Sequence, residues 1–173
     1  METVDFVELY ERTLDEVYRY ASRLTGGDRI RTDELVQETY LTVLRQRNRA
    51  DASVDGATGT PDVTVGYLIV TCRSRFLDGL RASRRRRHRE ELVAVTDPTV
   101  QPIDPPTIDH ADAIAALGTL ADDQRAALVL RYIDDLAVAD VAAHLDRSVR
   151  ATESLLVRAR AALRTAFHER TES

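Results

Sequence analysis

Arginines and carboxylates carry most of the chemistry this sequence offers. Near its end, Ser148, Arg150, Thr152 and Glu153 open an amphipathic run, with Arg147 just before them and Arg158 and Arg160 farther along. Arginine can read guanine and glutamate can accept from cytosine, while Arg147, Arg158 and Arg160 are better placed for phosphates. A second cationic cluster, Arg84-Arg85-Arg86-Arg87, follows Arg73, Arg75 and Arg81. Asp33, Glu34, Gln37 and Glu38 form an acidic stripe. The acid pairs Asp122-Asp123 and Asp134-Asp135 invite a reading as metal-assisted hydrolysis. Adjacent helical residues do not face each other, however, and His88, His110, His144 and His168 are scattered. Cys72 lies on an apolar face with no histidine nearby in sequence, which fits a buried small residue better than a nucleophile. There is no Gly-rich phosphate loop. The expectation is a chain that is not an enzyme, with no metal and no cofactor.

Helices must position these groups. Phe6, Leu9, Tyr10, Leu14, Val17, Ala21 and Leu24 recur at three- and four-residue steps, which predicts a helix over about 4–24. Thr25-Gly26-Gly27-Asp28 stops it. Thr32 is a plausible N-cap for a second helix, whose buried side is Leu35, Val36, Tyr40, Val43 and Leu44. Residues 48–62 are small and polar and read as a loop long enough to be functional. Asp62 can cap a third helix carrying Leu68, Cys72, Phe76 and Leu80 on one face. Residues 91–111 hold four of the five prolines and read as a flexible linker. Helical pattern resumes near Asp109 and breaks at Gly118. After Asp134-Asp135, a short helix over Val138–Leu145 precedes a long one capped by Ser148. Those two helices have the lengths of a helix-turn-helix, with Ala142 and Ala143 small enough for the crossing. A plain helical hairpin with solvated charges fits the same segment equally well. The fold class is all-α: two small helical domains, 1–90 and 112–173, joined by the acidic linker 91–111.

Composition narrows the setting. Hydrophobic residues make up 43% and charged ones 31%, as in folded soluble proteins. Aromatics are 5% and Trp is absent, so the core must come from Leu, Val and Ala, which favours packed helices. No apolar run reaches membrane-spanning length, and the acidic start lacks the order of a signal peptide. A single cysteine fits a reducing cytoplasm. The net charge of −5 is unevenly spread: residues 1–89 hold 16 Arg against 14 acids, residues 90–119 hold six acids and no Arg, and residues 120–173 hold 8 Arg against nine acids. Neighbouring segments therefore have different tasks.

Four stretches in order carry a family resemblance. Asp33-Glu34-Leu35-Val36-Gln37-Glu38-Thr39-Tyr40 resembles the core-binding signature of extracytoplasmic-function sigma factors. Tyr67-Leu68 through Arg73 to Leu77-Asp78-Gly79-Leu80-Arg81 resembles their promoter-melting helix. Leu120 to Tyr132 followed by Leu136 to Ala142 resembles the C-terminal domain, and Ser148 to Arg160 its recognition helix. Asp146 stands where the family usually has Gly, Glu153 where Lys is common, Leu155 for Arg, Tyr67 for Trp and Ser74 for Asn.

The resemblance implies a promoter-recognition subunit of bacterial RNA polymerase. Asp33, Glu34, Gln37, Glu38 and Leu41 would bind the core, made of the beta and beta-prime subunits. Tyr67, Arg73, Ser74, Arg75, Asp78, Arg81, Arg84 and Arg85 would hold the −10 element, with the 48–62 loop forming a pocket for one extruded base. Arg147, Ser148, Arg150, Thr152, Glu153 and Arg158 would meet the −35 element. The acidic linker would thread the polymerase cleft. An anti-sigma protein is a further partner that the resemblance allows. The alternative is a helix-turn-helix regulator acting without core polymerase, for which the acidic second helix would have no task.

Overall fold

The computed structural model of the chain describes residues 3–52, 63–90 and 110–171. Every regular element among them is helical, as the apolar periodicity implies. The elements are α1 (Thr3–Thr25), α2 (Arg29–Ala52), α3 (Val65–Glu90), α4 (His110–Gly118), α5 (Asp122–Leu128) running on into a π-helical turn (Val129–Ile133), α6 (Val138–Leu145) and α7 (Val149–Thr171). The expected linker, 91–111, lies outside the described residues up to 109. Packing divides the chain into two compact units, Met1–Ser22 with Arg29–Phe76, and Arg23–Asp28 with Leu77–Ser173. The division thus falls inside α3.

In the first unit the apolar stripe of α1 is largely buried, through Leu9, Val17 and Ala21, with Phe6 and Leu14 half-buried. From α2, Leu35, Val36, Tyr40 and Val43 face inward, and α3 adds Leu68, Cys72 and Phe76. Helix α1 meets α2 through a ring cluster. Tyr40 stands edge-on to Phe6, with ring centroids 6.2 Å apart, and lies 4.8 Å from Tyr10. The Thr13 hydroxyl donates to Leu9 O (2.7 Å), so the Tyr40 hydroxyl, 2.7 Å from Thr13 Oγ1, is the donor to Thr13. Burial holds the Tyr40 phenol above its ordinary pKa.

Three expected boundaries move. Helix α2 starts at Arg29, and Thr32 is fully buried inside it, so it cannot be the N-cap. The helix also runs to Ala52, because Arg49, Ala50 and Ala52 continue it readily. That removes 48–52 from the expected loop, while 53–62 lies outside the described residues, as does Asp62. Helix α3 begins at Val65, and its cap is Thr64, whose Oγ1 accepts from the Tyr67 amide (3.2 Å).

In the second unit α4, α5 and α6 pack on α7, or on one another, around Leu120, Leu128, Leu130, Val141, Leu145, Leu155 and Leu156. Ala142 is 2% exposed at the expected crossing, but Ala143 is exposed and takes no part in it. The widened turn after α5 is closed by Asp134 N–H to Val129 O (3.1 Å). It buries Val129 and Leu130 while Tyr132 and Ile133 face out, 54% and 50% exposed.

Arg125 is the buried polar node of this unit, 2% exposed. Its Nε donates to Leu24 O (2.7 Å), its Nη1 to Leu117 O (3.1 Å), and its Nη2 pairs with Asp122. Replacing Arg125 with Met strands those buried carbonyls. It should cost about 2–4 kcal/mol in urea unfolding. Arg125→Lys should recover only part of that, because an ammonium lacks the planar fork that spans these acceptors.

Candidate functional site

The acidic side of α2 is a surface. Asp33, Glu34, Gln37, Glu38 and Leu41 are all exposed, and Leu41 leaves 39% of its area open. The helix turns this side outward because Thr32, Leu35, Val36, Thr39, Tyr40 and Val43 take the inward one. Thr39 is buried because its hydroxyl bonds back to Leu35 O (2.7 Å). Asp33 is also engaged from α1: Tyr18 has a raised pKa, through desolvation first and then through the charge of Asp33 and a hydrogen bond to it. The sequence gives no local sign of this partner.

On α3, Tyr67, Val70, Ser74 and Asp78 form one exposed line at three- and four-residue steps. Tyr67 is 44% exposed and its hydroxyl donates to Gln46 Oε1 of α2 (2.5 Å), which fixes the ring. Gln46 was not singled out by sequence; its partner is 21 residues away. Ser74 donates to Val70 O (2.9 Å), so its hydrogen is used within the helix. Arg75 and Arg85 are exposed, and Arg73 is half-buried.

Arg81 and Arg84 depart from the expected phosphate-tracking row. Arg81 pairs with Asp78 (3.1 Å) and donates to His144 O (2.8 Å). Arg84 Nε spans both carboxylate oxygens of Asp123 (3.1 and 3.2 Å), and its Nη1 donates to Leu145 O. The cause is the C-terminal end of α6, whose last carbonyls lack helical partners and attract cations. Arg87 lies in α3, but its side chain is outside the described ones.

The α6–α7 junction is a tight turn. Asp146 takes the left-handed conformation (φ 53°), and Arg147 N–H reaches back to Ala142 O (3.0 Å). Ser148 then caps α7, its Oγ accepting from the Ala151 amide (3.2 Å). This presents Val149, Arg150 and Glu153 to solvent. Thr152 does not join them. It is fully buried and its hydroxyl donates to Ser148 O (3.0 Å), so it cannot reach a base edge. Leu155 is also buried, at 5%, which suits leucine at a position where the family often has arginine. Arg158 Nε folds onto Ser154 O (3.4 Å), and Arg160 Nη1 lies 3.4 Å from the Tyr132 hydroxyl.

Asp123 ties this junction together. Besides Arg84 it binds Arg147 Nη2 (2.5 Å). Its partners lie 39 and 24 residues away, so no spacing announces them. The neighbouring Asp122 turns to Arg125 instead, and the two acids do not form a pair. Among the described residues, no group of three His, Cys, Asp or Glu side chains could hold a metal. Nor is any described helix long and apolar enough to cross a membrane.

Comparison with known proteins matches the sequence profile of Sigma-70 region 2 over residues 9–86 and that of Sigma-70, region 4, over residues 110–163. The chain is similar to the ECF RNA polymerase sigma factor SigK of Mycobacterium sp. (strain KMS), at 28% identity over 160 residues, 86% of this chain and 76% of that protein. It is 32% identical over 164 residues to the ECF RNA polymerase sigma factor SigE of Mycolicibacterium smegmatis, covering 91% of this chain and 59% of that one. Its fold is similar to that of the sigma factor RpoE, solved in complex with the anti-sigma factor NepR from Bartonella quintana. The TM-score there is 0.50 at 22% identity, over 95% of this chain and 97% of that one.

The left-handed Asp146 generates a prediction. Glycine adopts φ near +50° without a Cβ penalty, whereas aspartate tolerates it at a cost. Asp146→Gly should raise stability by about 0.5–1 kcal/mol, read as a higher thermal midpoint with the far-UV spectrum unchanged.

Proposed function

This chain belongs to the extracytoplasmic-function group of RNA polymerase sigma factors, and we propose that it binds core polymerase, recognises the −35 and −10 promoter elements and promotes initiation. The observation that carries the reading is that the family-matched helices each turn polar, sequence-bearing side chains outward from an apolar core. On α2 these are Asp33, Glu34, Gln37, Glu38 and Leu41; on α3, Tyr67, Ser74 and Arg75; at the start of α7, Arg150 and Glu153.

Functionally the chain divides into 1–90 for the core and the −10 element, the linker 91–111, and 112–173 for the −35 element. The α2 face docks on the basic coiled coil of the beta-prime subunit, the complement of four polar or acidic groups around one apolar contact. The α3 line holds the non-template strand, with Tyr67 and Val70 against bases and Arg73, Arg75, Arg85 and, once released from its partners within the chain, Arg84 toward phosphates. Arg150 and Glu153 read base edges at −35, while Arg147 and Arg158 face the backbone. Thr152 has no place in this set. The linker, acidic and without arginine over 90–119, suits a basic channel of the enzyme rather than DNA. The chain performs no catalysis of its own and works in the cytoplasm beside the polymerase. An anti-sigma protein is a partner that this reading admits, as RpoE has one.

In vitro transcription with bacterial core polymerase and a promoter library tests the reading. A purified chain with no affinity for core polymerase would sink it. Charge reversal of Asp33, Glu34 and Glu38 together should lower core affinity at least about tenfold, because docked carboxylates then meet like charge. Binding by the triple variant at wild-type strength would remove α2 from the interface.

Arg150→Ala should weaken −35 recognition by roughly 1–3 kcal/mol and relax base preference at one position. Uniform loss across all sequences would make Arg150 a phosphate contact instead.

A further inference from the structure

Two of the arginines assigned to DNA are already occupied within the C-terminal unit. Arg84 and Arg147 share one carboxylate, Asp123, with Arg84 Nε bridging both its oxygens (3.1 and 3.2 Å) and Arg147 Nη2 at 2.5 Å. Leu145 O takes Arg84 Nη1. The three side chains are largely enclosed, at 22%, 29% and 18% exposure for Arg84, Arg147 and Asp123. One acid serves two guanidinium groups, and their donors outnumber its acceptors. Arg84 Nη2 and Arg147 Nε are buried without a hydrogen-bond partner.

Carboxylate and phosphate present the same planar pair of oxygens to a guanidinium fork. We propose that Asp123 is a built-in stand-in for DNA phosphates, which holds Arg84 and Arg147 together in the unbound chain and releases each to its own stretch of backbone when DNA binds. The two arginines are then withheld from non-specific DNA, and separate phosphates, one for each arginine, supply acceptors for Arg84 Nη2 and Arg147 Nε. This rests on the reading of Arg84 and Arg147 as backbone contacts. Asp123 sits in the first turn of α5, where a carboxylate is at home beside the helix N-terminus. The carboxylate of the cluster is therefore well placed in the free fold, and the cost of the cluster lies in the two unpaired donors.

The test is binding of the purified full chain to a labelled mixed-sequence DNA duplex at low salt. Asp123→Asn should bind about fivefold more tightly than wild type, the order set by two ion pairs that keep some contact with solvent. Asp123→Ser, which keeps a polar first-turn residue on α5, should behave alike and guards against misfolding of one variant. Asp140→Asn removes the same charge from an exposed position on α6 and controls for net charge alone. Asp123 variants that exceed this control, with a gain that vanishes when Arg84 and Arg147 are both Ala, support the proposal. An equal gain for Asp140→Asn, no gain in chains that melt normally, or a gain that survives without the arginines overturns it. If removing both arginines leaves DNA affinity unchanged even in the Asp123→Asn chain, the backbone-contact reading itself has failed. If the arginines matter and Asp123→Asn gives nothing, the stand-in alone has failed.

Discussion

A single guanidinium closes two helix ends in the C-terminal unit. The last carbonyls of any helix lack internal partners and carry partial negative charge. Arg125 donates to Leu24 O near the end of α1 and to Leu117 O near the end of α4, and it does so at 2% exposure. A charge buried that deeply is tolerated only when its donors are matched, and Asp122 supplies the remaining acceptor. The glycines around it answer the same demand. A Cβ on Gly118 would lie 2.5 Å from Gly26 O, and Gly26 itself holds φ 70°. Residues far apart in sequence thus serve one backbone junction, and α5 is held in place by it. Since α5 carries Asp123 and leads into the π turn, the exposed groups of the unit inherit their positions from Arg125.

A second device recurs in both units. Thr13, Thr39, Thr71 and Thr152 are buried polar residues in helix interiors, and each donates its hydroxyl to the carbonyl four residues back. That local bond satisfies the group without another side chain, so a helix can turn a threonine inward where the stripe would otherwise need an apolar residue. The consequence for the surface is direct. Thr39 facing inward keeps Gln37, Glu38 and Leu41 outward on α2, and Thr152 facing inward brings Arg150 and Glu153 outward on α7. The same inward turn removes Thr152 from any DNA contact, which polarity alone could not reveal.

Much of the architecture was legible because it rests on period and punctuation. The α1 stripe, the α6 limits, the break at Gly118, the Ser148 cap and the acidic side of α2 follow from apolar spacing and cap chemistry within a few residues of each other. The misread positions have the opposite character. Thr32 has an N-cap's chemistry, but the glycine pair lets the helix begin earlier. Ala143 is as small as Ala142, yet a helix turns neighbouring residues to different sides. The tertiary partners of Arg81 and Arg84 are hidden as well, although Asp78 stands only three residues before Arg81. Their acceptors are Asp123 and the carbonyls of α6, which only tertiary folding brings near.

That pattern of pairing bears on how an acidic chain can read DNA. The net charge is −5, and every cation is arginine. Several of these charges are answered within the chain, Arg84 and Arg147 by Asp123 and Arg125 by Asp122 in enclosed positions, Arg81 by Asp78 and Arg131 by Asp135 at the surface. Each answered arginine releases fewer counterions on meeting DNA, so sequence-independent affinity falls. Base-edge contacts of the kind proposed for Arg150 and Glu153 would keep their discrimination, because hydrogen bonds to bases do not depend on the bulk field. What improves is the ratio of specific to non-specific binding, and a genome tests that ratio rather than raw affinity. A subunit delivered to the promoter by a large enzyme gains little from strong unaided binding, and the carboxylates that mute its arginines fit that division of labour.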